Sequence, residues 1–319
     1  MSRPHVVTSS ELQSLRDLEL VTRATVEGLR QGLHRSPFHG YSAEFSQYRQ
    51  YRPGDDLKYV DWKALARTDR VYTRQFRETT NLSALLVMDA SRSMDFPFDS
   101  RDSASGVSPA QGKPQVSKFT LARTIAAILG TLVLDQGDAA GLLATTDRAH
   151  FVPPRSGHHH LRVLLAELSR LQPSGTSAID SALRQAATLM KRRGLVIAVS
   201  DFYEDEAAIT QIRRLRRMGH DVIAIHVLSQ EELSLEVGGA AEFVDLETGR
   251  KLLVQPSSAR ESYARDFGAW LASVEGGIRR NGIDYLRVTT GAPLEPALRR
   301  FLIGRRFGPP SRQRFGGTS

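Results

Sequence analysis

Residues 84–93 read Ala84-Leu85-Leu86-Val87-Met88-Asp89-Ala90-Ser91-Arg92-Ser93, an apolar run followed at once by a carboxylate and two hydroxyls. The apolar run has the length and composition of a strand buried on both faces, and the polar residues after it begin where such a strand ends. One carboxylate and two hydroxyls therefore fall together at the carboxyl edge of a sheet, where open α/β folds bind their ligands. Hard oxygen donors of this kind suit Mg²⁺ or Mn²⁺.

From this run onward, apolar runs alternate with helical patterns. The spacing predicts a strand over 84–88, a helix over 117–134, a strand over 139–144, helices over 158–171 and 177–192, a strand over 195–200, a helix over 204–218 and a strand over 221–227. After a Gly-rich and acidic stretch, Glu236 to Arg250, come a helix near 257–280, a strand from Tyr285 to Val288 and a short basic helix near 294–303. Strand then helix, repeated, predicts an α/β fold of Rossmann-like type, a mainly parallel sheet with helices on both faces. The Pro-, Ser- and Gly-rich segment from Asp95 to Val116 reads as a mobile loop beside the candidate edge, and the tail from Gly304 as disordered.

Ahead of the sheet, Leu12, Leu15, Leu18, Val21, Val26 and Leu29 recur at three- and four-residue spacings and predict an amphipathic helix from Glu11 to Leu33, closed by Gly32. Pro53-Gly54 marks a tight turn, and two short extended stretches follow, the clearer being Val71 to Phe76. The expected division is 1–80 for an N-terminal helix and β-hairpin extension, 81–290 for the sheet domain and 291–319 for the basic helix and tail.

Composition limits the function. A chain of 319 residues with 40% hydrophobic content can bury a real core. It has no cysteine, which excludes disulfides, thiolate catalysis and cysteine-held zinc or iron–sulfur centres. No apolar run approaches the roughly 20 residues of a membrane span, and no signal core follows the first basic residues, so a cytoplasmic protein is expected. The net charge of +8 raises nucleic acid as a partner, but the basic residues are dispersed, with several between Arg299 and Arg314, and no aromatic–basic interleaving accompanies them.

Two further oxygen donors are expected at the edge that carries Asp89. Ser174-Gly175-Thr176-Ser177-Ala178 precedes a predicted helix, which puts Thr176 at an N-cap-like turn. Asp201 ends the buried run Leu195 to Ser200, the same address as Asp89. Asp89, Ser91, Ser93, Thr176 and Asp201 then surround one point from three loops. An octahedral ion keeps waters readily, so hydroxyls can bind it directly while carboxylates hold its waters. Taken singly, Asp89, Ser91 and Ser93 are also what Asx-type turns and helix caps use. An aspartyl-nucleophile phosphotransferase is a rival for Asp89, but such sites usually want a second acid where Ser91 stands.

With these residues the chain resembles the von Willebrand factor A domain, whose metal-ion-dependent adhesion site uses Asp-x-Ser-x-Ser plus a Thr and an Asp on two later loops. The resemblance covers about Asn81 to Thr290. It departs at Phe202, where many such domains have Gly.

A second signature lies at Tyr48 to Arg67. Charged groups there (Arg49, Arg52, Asp55, Asp56, Asp61, Lys63 and Arg67 among them) surround Tyr51 and Trp62, which suggests either an ion-pair network holding a hairpin and helix or a binding surface. This segment resembles the hallmark of the domain of unknown function 58 family, in which Arg-x-Tyr-x-Pro-Gly-Asp-Asp and Val-Asp-Trp-Lys stretches precede a von Willebrand A-like domain. The resemblance implies a partner, a MoxR-type AAA+ ATPase, and a role in maturation or assembly of client proteins.

His158-His159-His160 lie adjacent on a predicted helix, where successive side chains point about 100° apart and cannot share one ion. His220 and His226 bound an apolar strand and read as core or edge residues. No Lys-Ser/Thr phosphate loop and no Ser–His–Asp arrangement is legible. The expected function is a non-enzymatic interaction module that holds Mg²⁺ or Mn²⁺ and captures an acidic side chain of a client. The alternatives are a metal-dependent hydrolase on the same site and a basic nucleic-acid binder.

Overall fold

A computed structural model describes residues 9–32, 44–52, 60–68, 70–77, 82–97, 116–146, 149–203, 205–234, 241–244, 251–254 and 256–307. Helix α1 (Ser9–Gly32), strand β1 (Glu44–Gln50), helix α2 (Trp62–Thr68) and strand β2 (Tyr72–Arg77) come first. There follow β3 (Ser83–Asp89), a 3₁₀ turn (Arg92–Asp95), α3 (Lys118–Asp135), β4 (Ala139–Thr145), β5 (Ala149–Arg155), α4 (His158–Arg170), α5 (Ile179–Leu189) and β6 (Leu195–Ser200). The chain continues through α6 (Asp205–Arg217), β7 (Asp221–Leu228), α7 (Gln230–Ser234), β8 (Ala241–Val244), β9 (Lys251–Val254), α8 (Pro256–Arg279), β10 (Asp284–Thr289) and α9 (Leu294–Phe307).

The main sheet has six strands in the order β10-β7-β6-β3-β4-β5. Counted along the chain this is the doubly wound order 3-2-1-4-5-6, whose topological switch point lies between β3 and β6. All neighbours are parallel except β4 and β5. Strand β3 is central, and its residues from Ala84 on are buried, as a strand covered on both faces requires. Leu85 and Val87 join a core with Ile179, Leu183 and Ile212 of α5 and α6. Leu86 turns to the other face, where Gly130 of α3 leaves room for it and for Leu164 of α4.

The contacts group the chain into two compact units, one of residues 38–82 and one of residues 1–37 with 83–319. Helix α1 thus groups with the sheet and not with the signature segment beside it in sequence. Leu18, Thr22, Val26 and Leu29 form one buried face, and α1 packs on α3, α4 and α9, where that face escapes water. Helix α9 also belongs to this unit. Arg305 near its end is 5% exposed and paired with Asp221 and Asp284. The described part of the expected disordered tail, Gly304 to Phe307, is therefore helical; residues 308–319 lie outside the described residues.

Two further expectations need correction, and one strand was not expected. Strand β5, absent from the predicted elements, contains Pro153 and Pro154; it is tolerated as an antiparallel edge strand, where proline need not donate to a neighbour. The helix expected over 177–192 begins at Ile179 with Ala178 as its cap, so Thr176 is not a helix cap. In the 38–82 unit, β1 pairs antiparallel with β2, so one of the two expected extended stretches precedes the Pro53-Gly54 turn. Within the expected Gly-rich and acidic stretch, Glu236 to Arg250, strand β8 pairs antiparallel with β9; the other residues of that stretch lie outside the described residues. Most of the expected Asp95–Val116 loop, residues 98–115, lies outside the described residues.

The junction of β3 and β6 is tight. A Cβ on Gly194, just before β6, would overlap the Ser83 carbonyl oxygen and lie 2.6 Å from Met190 Cε. Gly194→Ala is expected to cost about 2 kcal/mol or more in urea unfolding, in line with overpacked positions. Gly268→Ala in α8, with nothing within 4 Å of its Cβ, should instead gain up to about 1 kcal/mol from helix propensity.

Candidate functional site

Strands β3 and β6 lie side by side, and their chains leave in opposite directions around the sheet, opening a crevice at their carboxyl ends. Asp89 is the last residue of β3 and Asp201 follows the last residue of β6; both are 0% exposed. Burying two carboxylates side by side is costly unless donors or cations meet them.

The loops after the strands supply those donors. Asp89 Oδ1 accepts from the Ser91 N–H at 3.0 Å, and its Oδ2 accepts from Ser200 Oγ at 2.8 Å and Ser177 Oγ at 3.1 Å. The Ser91 and Ser93 hydroxyls lie 3.0 Å apart, and Ser93 Oγ donates to Asp201 Oδ2 at 3.3 Å. Arg92 N–H donates to Gly175 O at 3.1 Å and Ser174 N–H to Ala90 O at 2.9 Å, so the loop carrying Ser91 and Ser93 is stitched to the one carrying Thr176 and Ser177.

Asp201 has a different partner. Lys118, the first residue of α3, places its ammonium 2.9 Å from Asp201 Oδ2 and 2.6 Å from Glu232 Oε1 of α7, with the lysine side chain 1% exposed. Burial alone pushes the ammonium's pKa down, but the two carboxylates outweigh it and hold it above the ordinary value. Lys118 also lies 4.9 Å from the Tyr203 ring centroid. Tyr203 stacks on Trp270, which meets Phe267, which stacks on Tyr263. Tyr203 is 43% exposed, so this aromatic row reaches the surface beside the crevice.

Phe202 joins Asp201 to Tyr203 with φ +52°, a left-handed conformation that costs a bulky residue energy and costs glycine little. Its side chain is fully buried, edge-on to His226. His226 in turn shares a 2.8 Å hydrogen bond with the Tyr285 hydroxyl. His226 is thus a core residue, as expected. So is His160, bonded to Ala140 O at 2.8 Å, while His158 and His159 are exposed.

Four of the five expected metal-site residues converge: Asp89, Ser91, Ser93 and Asp201. Thr176 lies on the adjoining loop, is exposed, and is tied to the cluster by no hydrogen bond among the described residues; its neighbour Ser177 makes the bond to Asp89. Sequence reasoning missed Lys118, Ser177, Ser200 and Glu232. Lys118 left a signal, because a lysine in the first turn of a helix opposes the helix dipole and calls for a partner.

Among the described residues, no group of three His, Cys, Asp or Glu side chains is arranged to hold a metal. Around Ser91 and Ser93 the cluster offers the hydroxyls and the Asp89 and Asp201 carboxylates, with the Lys118 ammonium lying between Asp201 and Glu232. That donor set still fits a small hard cation: adjacent oxygen ligands of an octahedral ion at about 2.1 Å lie about 3.0 Å apart, and the Ser91 and Ser93 oxygens have that 3.0 Å spacing. Ser91 and Ser93 would hold such an ion, with Asp89 and Asp201 behind them.

In the 38–82 unit, Asp61 is 3% exposed. It caps α2 by accepting the Ala64 N–H at 3.0 Å and takes the Tyr48 hydroxyl at 2.9 Å. Asp61 is therefore a structural residue. Trp62 beside it is 60% exposed, and Arg52 and Arg67 are exposed with Tyr51 half-buried. Asp55 and Asp56 lie outside the described residues, as does the Lys63 side chain.

The family described as Protein of unknown function DUF58 matches residues 47–269. The chain is 30% identical to the Mycobacterium bovis protein Mb1516 over 304 residues, 92% of this chain and 90% of the relative. It is 23% identical to YeaD of Bacillus subtilis over 180 residues, 56% of this chain and 39% of YeaD. Among solved structures, BatB from Bacteroides thetaiotaomicron is similar at TM-score 0.41 and 16% identity, covering 70% of this chain and 98% of BatB. The SpRpn10 VWA domain is similar at TM-score 0.36 and 14% identity, covering 68% of this chain and 93% of that domain.

Burial pushes the Asp89 carboxyl up from 3.8 to about 6, with the Asp201 charge adding and bonds from Ser91 and Ser200 opposing. Folded Asp89 thus holds its proton more tightly than unfolded Asp89, so its contribution to stability is fullest below about pH 4 and is lost as pH rises through 6. His226, pushed down to about 4 by burial, has the opposite sign over an overlapping range, so native stability alone does not isolate Asp89. Comparison with Asp89→Asn does. In chelator-containing buffer the stability gap should move by roughly 2 kcal/mol in favour of the Asn variant between about pH 4 and pH 7.5, measured by denaturant unfolding.

Proposed function

The chain belongs to the DUF58 family and its main sheet has the doubly wound, mainly parallel order; we propose that this sheet domain is a von Willebrand A-type, metal-dependent protein-interaction module. The observation that carries this reading is the meeting of Asp89 and Asp201 at the switch point, joined through the Ser91 and Ser93 hydroxyls. The ion is Mg²⁺ or Mn²⁺, and when bound it supplies an electrophilic position for a carboxylate of a client protein.

The protein's own residues do the rest. Ser177 and Ser200 orient Asp89, and Lys118 orients Asp201. The aromatic row ending at Tyr203 gives a client an apolar flank beside the charged crevice. Both carboxylates are buried and already hydrogen-bonded, which suits a binding site better than a general base waiting for water. We therefore read the chain as non-enzymatic.

The partner implied by the family resemblance is a MoxR-type AAA+ ATPase. In this reading the ATPase supplies energy and this chain supplies recognition, as a cytoplasmic adaptor or co-chaperone in maturation or assembly. Exposed Trp62, in a unit that also exposes Arg52 and Arg67, is the candidate surface for a second contact, since tryptophan and arginine are the residue types that interface anchors favour.

A pull-down with the tagged full chain tests this, using Mg²⁺, EDTA, Asp89→Ala and Trp62→Ala. Capture of an acidic client should need Mg²⁺ and Asp89 and fall at least tenfold without either, while Trp62→Ala should weaken retention of the ATPase alone. Equal client capture in EDTA and in Asp89→Ala would contradict metal-dependent binding.

A further inference from the structure

A lysine at the start of a helix faces the positive end of the helix dipole, yet Lys118 sits there almost wholly buried. What holds it is Asp201 on one side and Glu232 on the other, at 2.9 and 2.6 Å. Glu232 is itself fixed. Its Oε2 accepts the Ser229 N–H at 2.8 Å, and its own N–H donates to Ser229 Oγ at 3.0 Å. The carboxyl edge thus carries three carboxylates (Asp89, Asp201, Glu232) and one ammonium, and the ammonium occupies one oxygen of each of the two acids nearest it.

We propose that Lys118 is the site's resident cation, and that it sets how tightly and how selectively the crevice takes a divalent ion. The inference rests on the metal-dependent reading above. Affinity of oxygen sites rises with the number of charged ligands, and flexible acid-rich sites take Ca²⁺ as readily as smaller ions. By binding Asp201 Oδ2 and Glu232 Oε1, Lys118 removes negative charge from the crevice and leaves the Ser91 and Ser93 hydroxyls as the exchangeable donors. The site is then kept weak, and selective for a small ion that retains its waters. A purely structural salt bridge would make a different prediction, since removing it would loosen Asp201 and weaken ion binding.

Calorimetric titration of the full chain with Mn²⁺ and with Ca²⁺ separates these roles. The native protein should bind Mn²⁺ and lose that binding in Asp89→Ala. Lys118→Met should bind Mn²⁺ at least tenfold more tightly and Ca²⁺ by a larger factor, and its melting temperature should become strongly ion-dependent because two buried acids then lack a counter-charge. Lys118→Arg, which keeps the charge, should stay within about threefold of native. If Lys118→Met does not fold, Lys118→Gln, which removes the charge and keeps a hydrogen-bond donor for Asp201, serves in its place. It should bind Mn²⁺ at least threefold more tightly than native, and unchanged or weaker affinity overturns the proposal. Native binding with no tightening in Lys118→Met overturns this inference and leaves the metal reading intact. Absence of ion binding in both proteins overturns both.

Discussion

Two carboxylates buried next to each other are the constraint that the rest of this molecule answers to. Asp89 and Asp201 are brought together by the topology itself, because parallel β3 and β6 are neighbours and both end at the switch point. Each acid is fully buried, so each needs compensation from within the chain. Asp89 receives a backbone N–H and two serine hydroxyls. Asp201 receives the Lys118 ammonium and the Ser93 hydroxyl. The two solutions differ in kind. One leaves a carboxyl whose proton is held more tightly than usual, and the other is a charged pair extended to Glu232.

Those compensations explain features that otherwise look incidental. Lys118 must stand at the first position of α3, despite the dipole, because from there its side chain reaches the end of β6. The backbone after Asp201 must turn sharply, which forces Phe202 into a left-handed conformation; burial of its ring against His226 offsets that cost. Tyr203 then lies over Lys118 and begins the aromatic row on α8. The carboxyl edge of the sheet thus carries a polar cluster fixed from three directions, with the helices on both faces of the sheet supplying the rigidity.

Much of this was legible in the sequence, for physical reasons. The run 84–88 and the runs at 195–200 and 221–227 are apolar because parallel strands are covered on both faces, so their ends, and hence Asp89 and Asp201, could be located by composition alone. Strand β5 was not legible because Pro153 and Pro154 are compatible with an edge and signal a turn in isolation. Glu232 lies on a short helix with no periodicity to announce it. Ser177 and Thr176 are adjacent hydroxyl residues on one loop, and only the backbone path decides which of them reaches Asp89. Asp61 looked like a partner-binding charge in a dense charged segment; its burial and its bonds to Ala64 and Tyr48 make it a helix cap.

In the proposed function the edge between β3 and β6 takes a divalent ion on the Ser91 and Ser93 hydroxyls. The most direct measurement is anomalous diffraction from crystals of the full chain equilibrated with millimolar Mn²⁺, collected at and below the manganese edge. One anomalous peak is expected within ligand distance of Ser91 Oγ and Ser93 Oγ, absent in a Ser91→Ala/Ser93→Ala variant. A clean map with no peak at that edge, or a peak elsewhere on the chain, would contradict it.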